Sequence, residues 1–99
     1  MRIEDLKKHK NQIECIATRN GISKVYVFGS VARGESSATS DVDFLIEMEQ
    51  DQSALGIGAF QYEIEQLLGI HVDVVPTFAL PGIEDRVFVK TLEVEAVAL

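Results

Sequence analysis

Ser40-Asp41-Val42-Asp43-Phe44-Leu45-Ile46-Glu47 decides how this chain folds, because the stretch carries two patterns at once. Val42, Phe44, Ile46 and Met48 alternate at period two, as the buried face of a β-strand does. Asp41 and Asp43 take the opposite parity, so the strand presents two carboxylates on one side, within reach of a single cation. The spacing also suits a solvated polar face continued by Glu47 and Glu49, although Leu45 interrupts it and points to partial cover.

Working outward, the small polar segment 34–40 is a loop, and Lys24 to Phe28 is a short β-branched and aromatic run that predicts a strand. That strand stops at Gly29-Ser30, where a short helix starts. Farther back, Ile3, Leu6, Ile13, Ile16 and Ala17 recur at helical spacing, predicting one helix from Ile3 to Arg19 with Asn20-Gly21 as its stop. On the other side, Leu55, Ile57, Phe60, Ile64, Leu67 and Leu68 form a helical stripe within Ala54–Leu68, closed by Gly69. His71-Val72-Asp73-Val74-Val75 then reads as a third strand ended by Pro76. Pro81-Gly82-Ile83 can open a last helix; Val87-Phe88-Val89-Lys90-Thr91 suits a strand equally well by local preference and is read here as helix. The order α-β-α-β-α-β-α predicts one α/β (α+β) domain over residues 1–99, a small β-sheet flanked by helices.

Composition narrows the function. With 46% hydrophobic and 25% charged residues the chain is ordinary for a globular domain, and at 99 residues it buries a smaller share of its surface than a larger protein, so a partner or homo-oligomer is expected. The net charge of −7 disfavours a nucleic-acid polymer as ligand. A compact anion such as a triphosphate is still admitted, since divalent cations gathered by carboxylates reverse the local sign. The one cysteine, Cys15, cannot form an intrachain disulfide and is expected to be a small buried helix residue in a reducing compartment. The N-terminal residues lack an apolar signal core and no stretch approaches the ~20 apolar residues of a membrane span, which predicts a cytoplasmic protein without an anchor.

Three further features bear on chemistry. Gly29-Ser30-Val31-Ala32-Arg33-Gly34 directly follows a strand: glycine permits close approach of an anion, Ser30 can cap the helix and offer a hydroxyl, and Arg33 would lie nearby as a fixed cation. Junctions of this kind also occur for structural reasons alone. Asp73 interrupts an apolar strand, where an ionised side chain is costly unless it is solvated, paired or bound to metal. His71 shares its parity but reads as a surface or supporting residue, and Tyr26 and Phe28 read as packing residues. Three carboxylates on one face beside a glycine-serine turn suit metal-assisted nucleotidyl transfer, in which two metals about 3.5–4 Å apart orient the nucleophile and stabilise the leaving pyrophosphate. A carboxylate can also accept the attacking hydroxyl's proton.

Gly29-Ser30, Arg33-Gly34, Ser40-Asp41-Val42-Asp43 and Asp73 together resemble the signature of the DNA polymerase β-like nucleotidyltransferase superfamily, and the short length is similar to its minimal, MntA-like branch. The resemblance covers roughly Val25 to Val75. It implies a mixed, polymerase β palm-like sheet flanked by helices, Mg²⁺ dependence and a nucleoside triphosphate donor, usually ATP. It also implies that Gly29 and Ser30 hold the triphosphate, that Asp41 and Asp43 bind both metals, and that Asp73 completes the second metal site. The branch implies, further, an antitoxin that adenylylates a HEPN-domain ribonuclease toxin. Val31 and Phe44 depart from residues frequent in the family at those positions, without removing a metal ligand.

Two other functions share this outline. A non-catalytic binding module could neutralise a basic ribonuclease by occlusion through its acidic surface. A transferase acting on a small cationic molecule would also suit an acidic site, but relatives of that type carry a second lobe.

Overall fold

The computed structural model describes residues 2–34, 41–49 and 54–99, apart from the Ser30 side chain. The expected N-terminal helix is two helices, α1 (Ile3–Lys8) and α2 (Lys10–Arg19), separated at His9 with φ −101° and ψ 11°. The run from Lys7 to Gln12 holds no apolar side chain, and the helix is interrupted within it, while Leu6 before the break and Ile13 after it are completely buried. Cys15 is exposed on α2, contrary to expectation, because it lies off the Ile13-Ile16-Ala17 stripe that faces inward.

Strand β1 (Ile22–Phe28) starts two residues before the expected Lys24, since Ile22 is buried and pairs with Met48 of β2 (Val42–Met48). A short helix α3 (Ser30–Arg33) follows β1 at once. Helix α4 (Leu55–Leu68) leads to β3 (Val72–Pro76). Its Leu55 is 84% exposed and drops out of the predicted stripe, which starts with half-buried Ile57. Gly56 is required where α4 meets α2, because a Cβ there would collide with the Asn20 carbonyl oxygen.

Beyond β3, Pro81 and Gly82 finish a 3-10 segment, Thr77–Gly82, instead of opening the last helix. That helix, α5 (Arg86–Glu95), is capped by Asp85, whose carboxylate accepts the Phe88 N–H at 3.0 Å. The cap decides a segment whose local preference is divided. A short strand absent from the sequence reading, β4 (Val97–Ala98), pairs with Tyr26 and Val27 of β1.

The sheet has the order β3-β2-β1-β4 and is mixed, as expected: β1 is antiparallel to β2 and β4, whereas β2 and β3 are parallel. Val27, Val42, Phe44, Ile46 and Val72 cover one face and meet Leu6, Ile13, Ile16, Phe60 and Ile64 in the main core. Phe44 and Phe60 pack edge to face with ring centroids 6.0 Å apart. On the other face Phe28 and Leu45 join Leu80, Val89 and Leu92, so the 3-10 segment and α5 supply the partial cover signalled by Leu45. Among the described residues, no helix is long and apolar enough to cross a membrane.

Candidate active site

The sheet gathers the carboxylates at one end. β1 finishes at Phe28 where β2 and β3 begin, and Asp43 lies opposite Phe28 on one side and Asp73 on the other. Period-two alternation turns Asp43 and Asp73 to the face shared with Leu45, away from the main core. Asp41 sits just before β2, and one ligand atom each from Asp41, His71 and Asp73 falls within a 4.8 Å group. Asp43 is half-buried, while Asp41 and Asp73 are exposed.

Gly29 has a further role, beside the approach of an anion expected from the sequence. Its φ of 75° is in the left-handed region, and a Cβ added there would lie 2.5 Å from Oδ2 of Asp43. The glycine therefore makes room for a carboxylate of this chain, whatever it later admits. Behind it, Arg33 donates its backbone N–H to the Gly29 carbonyl at 3.1 Å, closing α3, and Val31 is buried in the main core. The Arg33 guanidinium is held by Glu95 of α5 at 2.9 Å and acts electrostatically on Asp43. The expected hydroxyl contact of Ser30 lies outside the described residues, as do Glu35 and Ser40 of the flanking motif.

The electrostatics are those of a site that attracts positive charge. Burial first, then the charge of Asp73 and its hydrogen bond, then the charge of Asp41 push the Asp43 carboxyl up to about 6, against a partial opposing pull from Arg33. A hard divalent cation with oxygen ligands would relieve this repulsion, so the residues fit Mg²⁺.

His71 belongs to the cluster as well. Its Nδ1 is 2.8 Å from Glu65 Oε2 and its Nε2 is 3.3 Å from Asp73 Oδ1. Desolvation pulls its pKa down, but the hydrogen bond to Glu65 and the charges of Asp41, Asp73 and Glu65 outweigh it, and the net shift is upward. Glu65 also accepts the Val72 N–H at 3.1 Å, and Gln61 donates to the Val72 carbonyl at 2.9 Å, so α4 satisfies the outer edge of β3. Parity with Asp73 was the available signal for His71; Glu65 had none, because its approach depends on how α4 packs.

The nucleotidyltransferase domain model matches residues 9–98. The chain belongs to this family. It is therefore a nucleotidyltransferase by class. A protein of Methanocaldococcus jannaschii assigned to the protein adenylyltransferases is 34% identical over 91 residues, covering 91% of this chain and 98% of that protein. The protein adenylyltransferase MntA of Thermococcus cleftensis is 39% identical over 70 residues, covering 71% of this chain and 68% of its own length. A solved structure described as a minimal nucleotidyltransferase superposes with a TM-score of 0.80 at 33% identity, covering 100% of this chain and 97% of that one. The fold also matches, at 15% identity and a TM-score of 0.64, a chain in a Shewanella oneidensis complex of a tri-AMPylated HEPN toxin with MNT antitoxin, covering 93% of this chain and 69% of that one.

Proposed function

We propose that this nucleotidyltransferase transfers AMP from ATP, with Mg²⁺ held by Asp41, Asp43 and Asp73, to a hydroxyl of a HEPN-type toxin, and so acts as a cytoplasmic antitoxin. The observation that carries the reading is the lateral pairing of Asp43 with Asp73 beside Asp41, next to the Gly29 turn. The relatives assigned as protein adenylyltransferases support a protein side chain as acceptor. The AMPylated HEPN toxin found with MNT antitoxin supports the class of partner.

When bound, Mg²⁺ supplies charge neutralisation for the triphosphate and for the departing pyrophosphate. The chain's own groups act around that charge. Asp41 and Asp43 would hold the cation that neutralises the reacting end of the triphosphate, and the Gly29 turn keeps the Asp43 carboxylate unobstructed. Ser30 and Arg33 hold the phosphates farther out, with Arg33 steadied by Glu95. Asp73, exposed towards an incoming acceptor, takes the hydroxyl proton as that oxygen bonds to the α-phosphorus and the bond to pyrophosphate breaks. The cluster is open to solvent, which suits an acceptor brought by another protein.

The test is intact mass measurement after incubating the chain with a candidate HEPN toxin, labelled ATP and Mg²⁺. The toxin should gain whole AMP units only when all components are present, and Asp41→Asn, Asp43→Asn and Asp73→Asn should each abolish the gain. A toxin that stays unmodified yet is inhibited stoichiometrically would replace catalysis by occlusion.

A further inference from the structure

His71 stands directly before β3 and its ring is held from behind. Nδ1 faces Glu65 Oε2 at 2.8 Å, which assigns the ring proton to that nitrogen in the neutral imidazole. The same oxygen accepts the Val72 N–H at 3.1 Å, so α4 fixes the strand's first amide and the ring together. Nε2 is left turned to the carboxylates, 3.3 Å from Asp73 Oδ1, in the group that also includes Asp41. A carboxylate on the far nitrogen is how proteins orient an imidazole that ligates metal and raise its basicity. Two atoms bound to one cation at neighbouring octahedral positions, with bonds of about 2.1 Å, lie roughly 3 Å apart, close to the separation of Nε2 and Oδ1. A lone pair facing a carboxylate oxygen at such a distance is repelled unless a proton or a cation stands between them.

We infer that His71, oriented by Glu65, is a further protein ligand at the carboxylate cluster, sharing one cation with Asp41 and Asp73. Oxygen-only sites suit Mg²⁺, whereas an added imidazole nitrogen favours first-row transition ions, so this position should prefer Mn²⁺ to Mg²⁺. The inference rests on the metal-holding role proposed for the carboxylates. Its alternative is an imidazolium that merely bridges Glu65 and Asp73.

Pulsed electron paramagnetic resonance of the full chain loaded with Mn²⁺, with and without ATP, separates the two. Wild type should show the nitrogen coupling of a directly bound imidazole, and His71→Ala should lose it. Mn²⁺ affinity, read by titration, should fall at least about tenfold in His71→Ala and roughly tenfold in Glu65→Gln, while Mg²⁺ affinity changes much less. If wild type binds Mn²⁺ without nitrogen coupling, and His71→Ala binds it equally well, the inference is overturned while the carboxylate reading stands. If wild type binds neither Mn²⁺ nor Mg²⁺, with or without ATP, both fail together.

Discussion

The two faces of the sheet are built from the same strands by opposite means. Towards α1, α2 and α4, Val27, Val42, Phe44, Ile46 and Val72 are fully buried among apolar neighbours. Towards α5, Phe28 and Leu45 are covered, but the end of the face carries Asp43 and Asp73 side by side, with Asp41 before them. The first face gains stability with each residue it buries. The second sets like charges together, Asp43 half-buried and Asp41 and Asp73 exposed, which favours binding a cation over holding the fold. Period-two alternation locks the arrangements together, since a one-residue slip of β2 would exchange them.

The largest effects should divide along that line. Phe44→Ala removes a fully buried ring in contact with Phe60 and should cost about 3–5 kcal/mol, read by urea denaturation. Asp73→Asn should lower the rate of AMP transfer by about 10²–10⁴, the usual worth of a positioned proton acceptor, with the urea midpoint almost unchanged. The division would break if Asp73→Asn unfolded the protein or if Phe44→Ala melted like wild type.

The same contrast explains what could be read from the sequence. The apolar faces of β2, α2 and α4 were legible because several residues repeat one signal, and the Asp41-Val42-Asp43 spacing was legible because a strand's parity is simple. The break at His9 was not, since the apolar residues on its two sides keep helical spacing across it. Strand β4 is a two-residue element that β1 recruits through tertiary contact, too short to carry a pattern. At the site, the residue types and the shared face of Asp41 and Asp43 were legible. The use of Gly29 to clear Asp43, and the Glu65 support behind His71, depend on distances between segments that no local spacing encodes.

Gly29 lies on the border between the two regions and should give a mixed, intermediate effect. Gly29 and Gly34 both have φ of 75°, but a Cβ at Gly34 meets nothing within 4 Å, whereas one at Gly29 meets the Asp43 carboxylate. Both alanine substitutions should therefore cost the roughly 1–2 kcal/mol of a left-handed residue. Gly29→Ala alone should also weaken Mg²⁺-dependent ATP binding in calorimetry, because it displaces Asp43. Equal losses of ATP affinity in the two variants would show that the turn, and not the collision, matters.

The smallest effect concerns the charge that the site tolerates. In the metal-free protein Asp43 titrates at about 6, against 3.8 for an ordinary aspartate, so the folded state holds its proton more tightly than the unfolded one. That contribution to stability is complete below pH 3.8 and is lost as pH rises through about 6, leaving the repulsion unrelieved at pH 7.5. Asp43→Asn carries no such charge at any pH. The variant should therefore melt above wild type at pH 7.5 without divalent cations, and the difference should shrink to nothing as pH falls towards 4. Asp43 is only half-buried, so solvent screening should keep the gain below about 1 kcal/mol, a rise of a few degrees at most. Saturating Mg²⁺ with ATP should reverse the order, because ligand that binds only the folded state stabilises wild type while the variant has lost a ligand. Thermal melts across pH, with and without Mg²⁺ and ATP, measure both parts. A variant less stable than wild type in the metal-free protein at pH 7.5 would mean that Asp43 supports the fold, and the two faces of the sheet would then differ less in kind than their burial suggests.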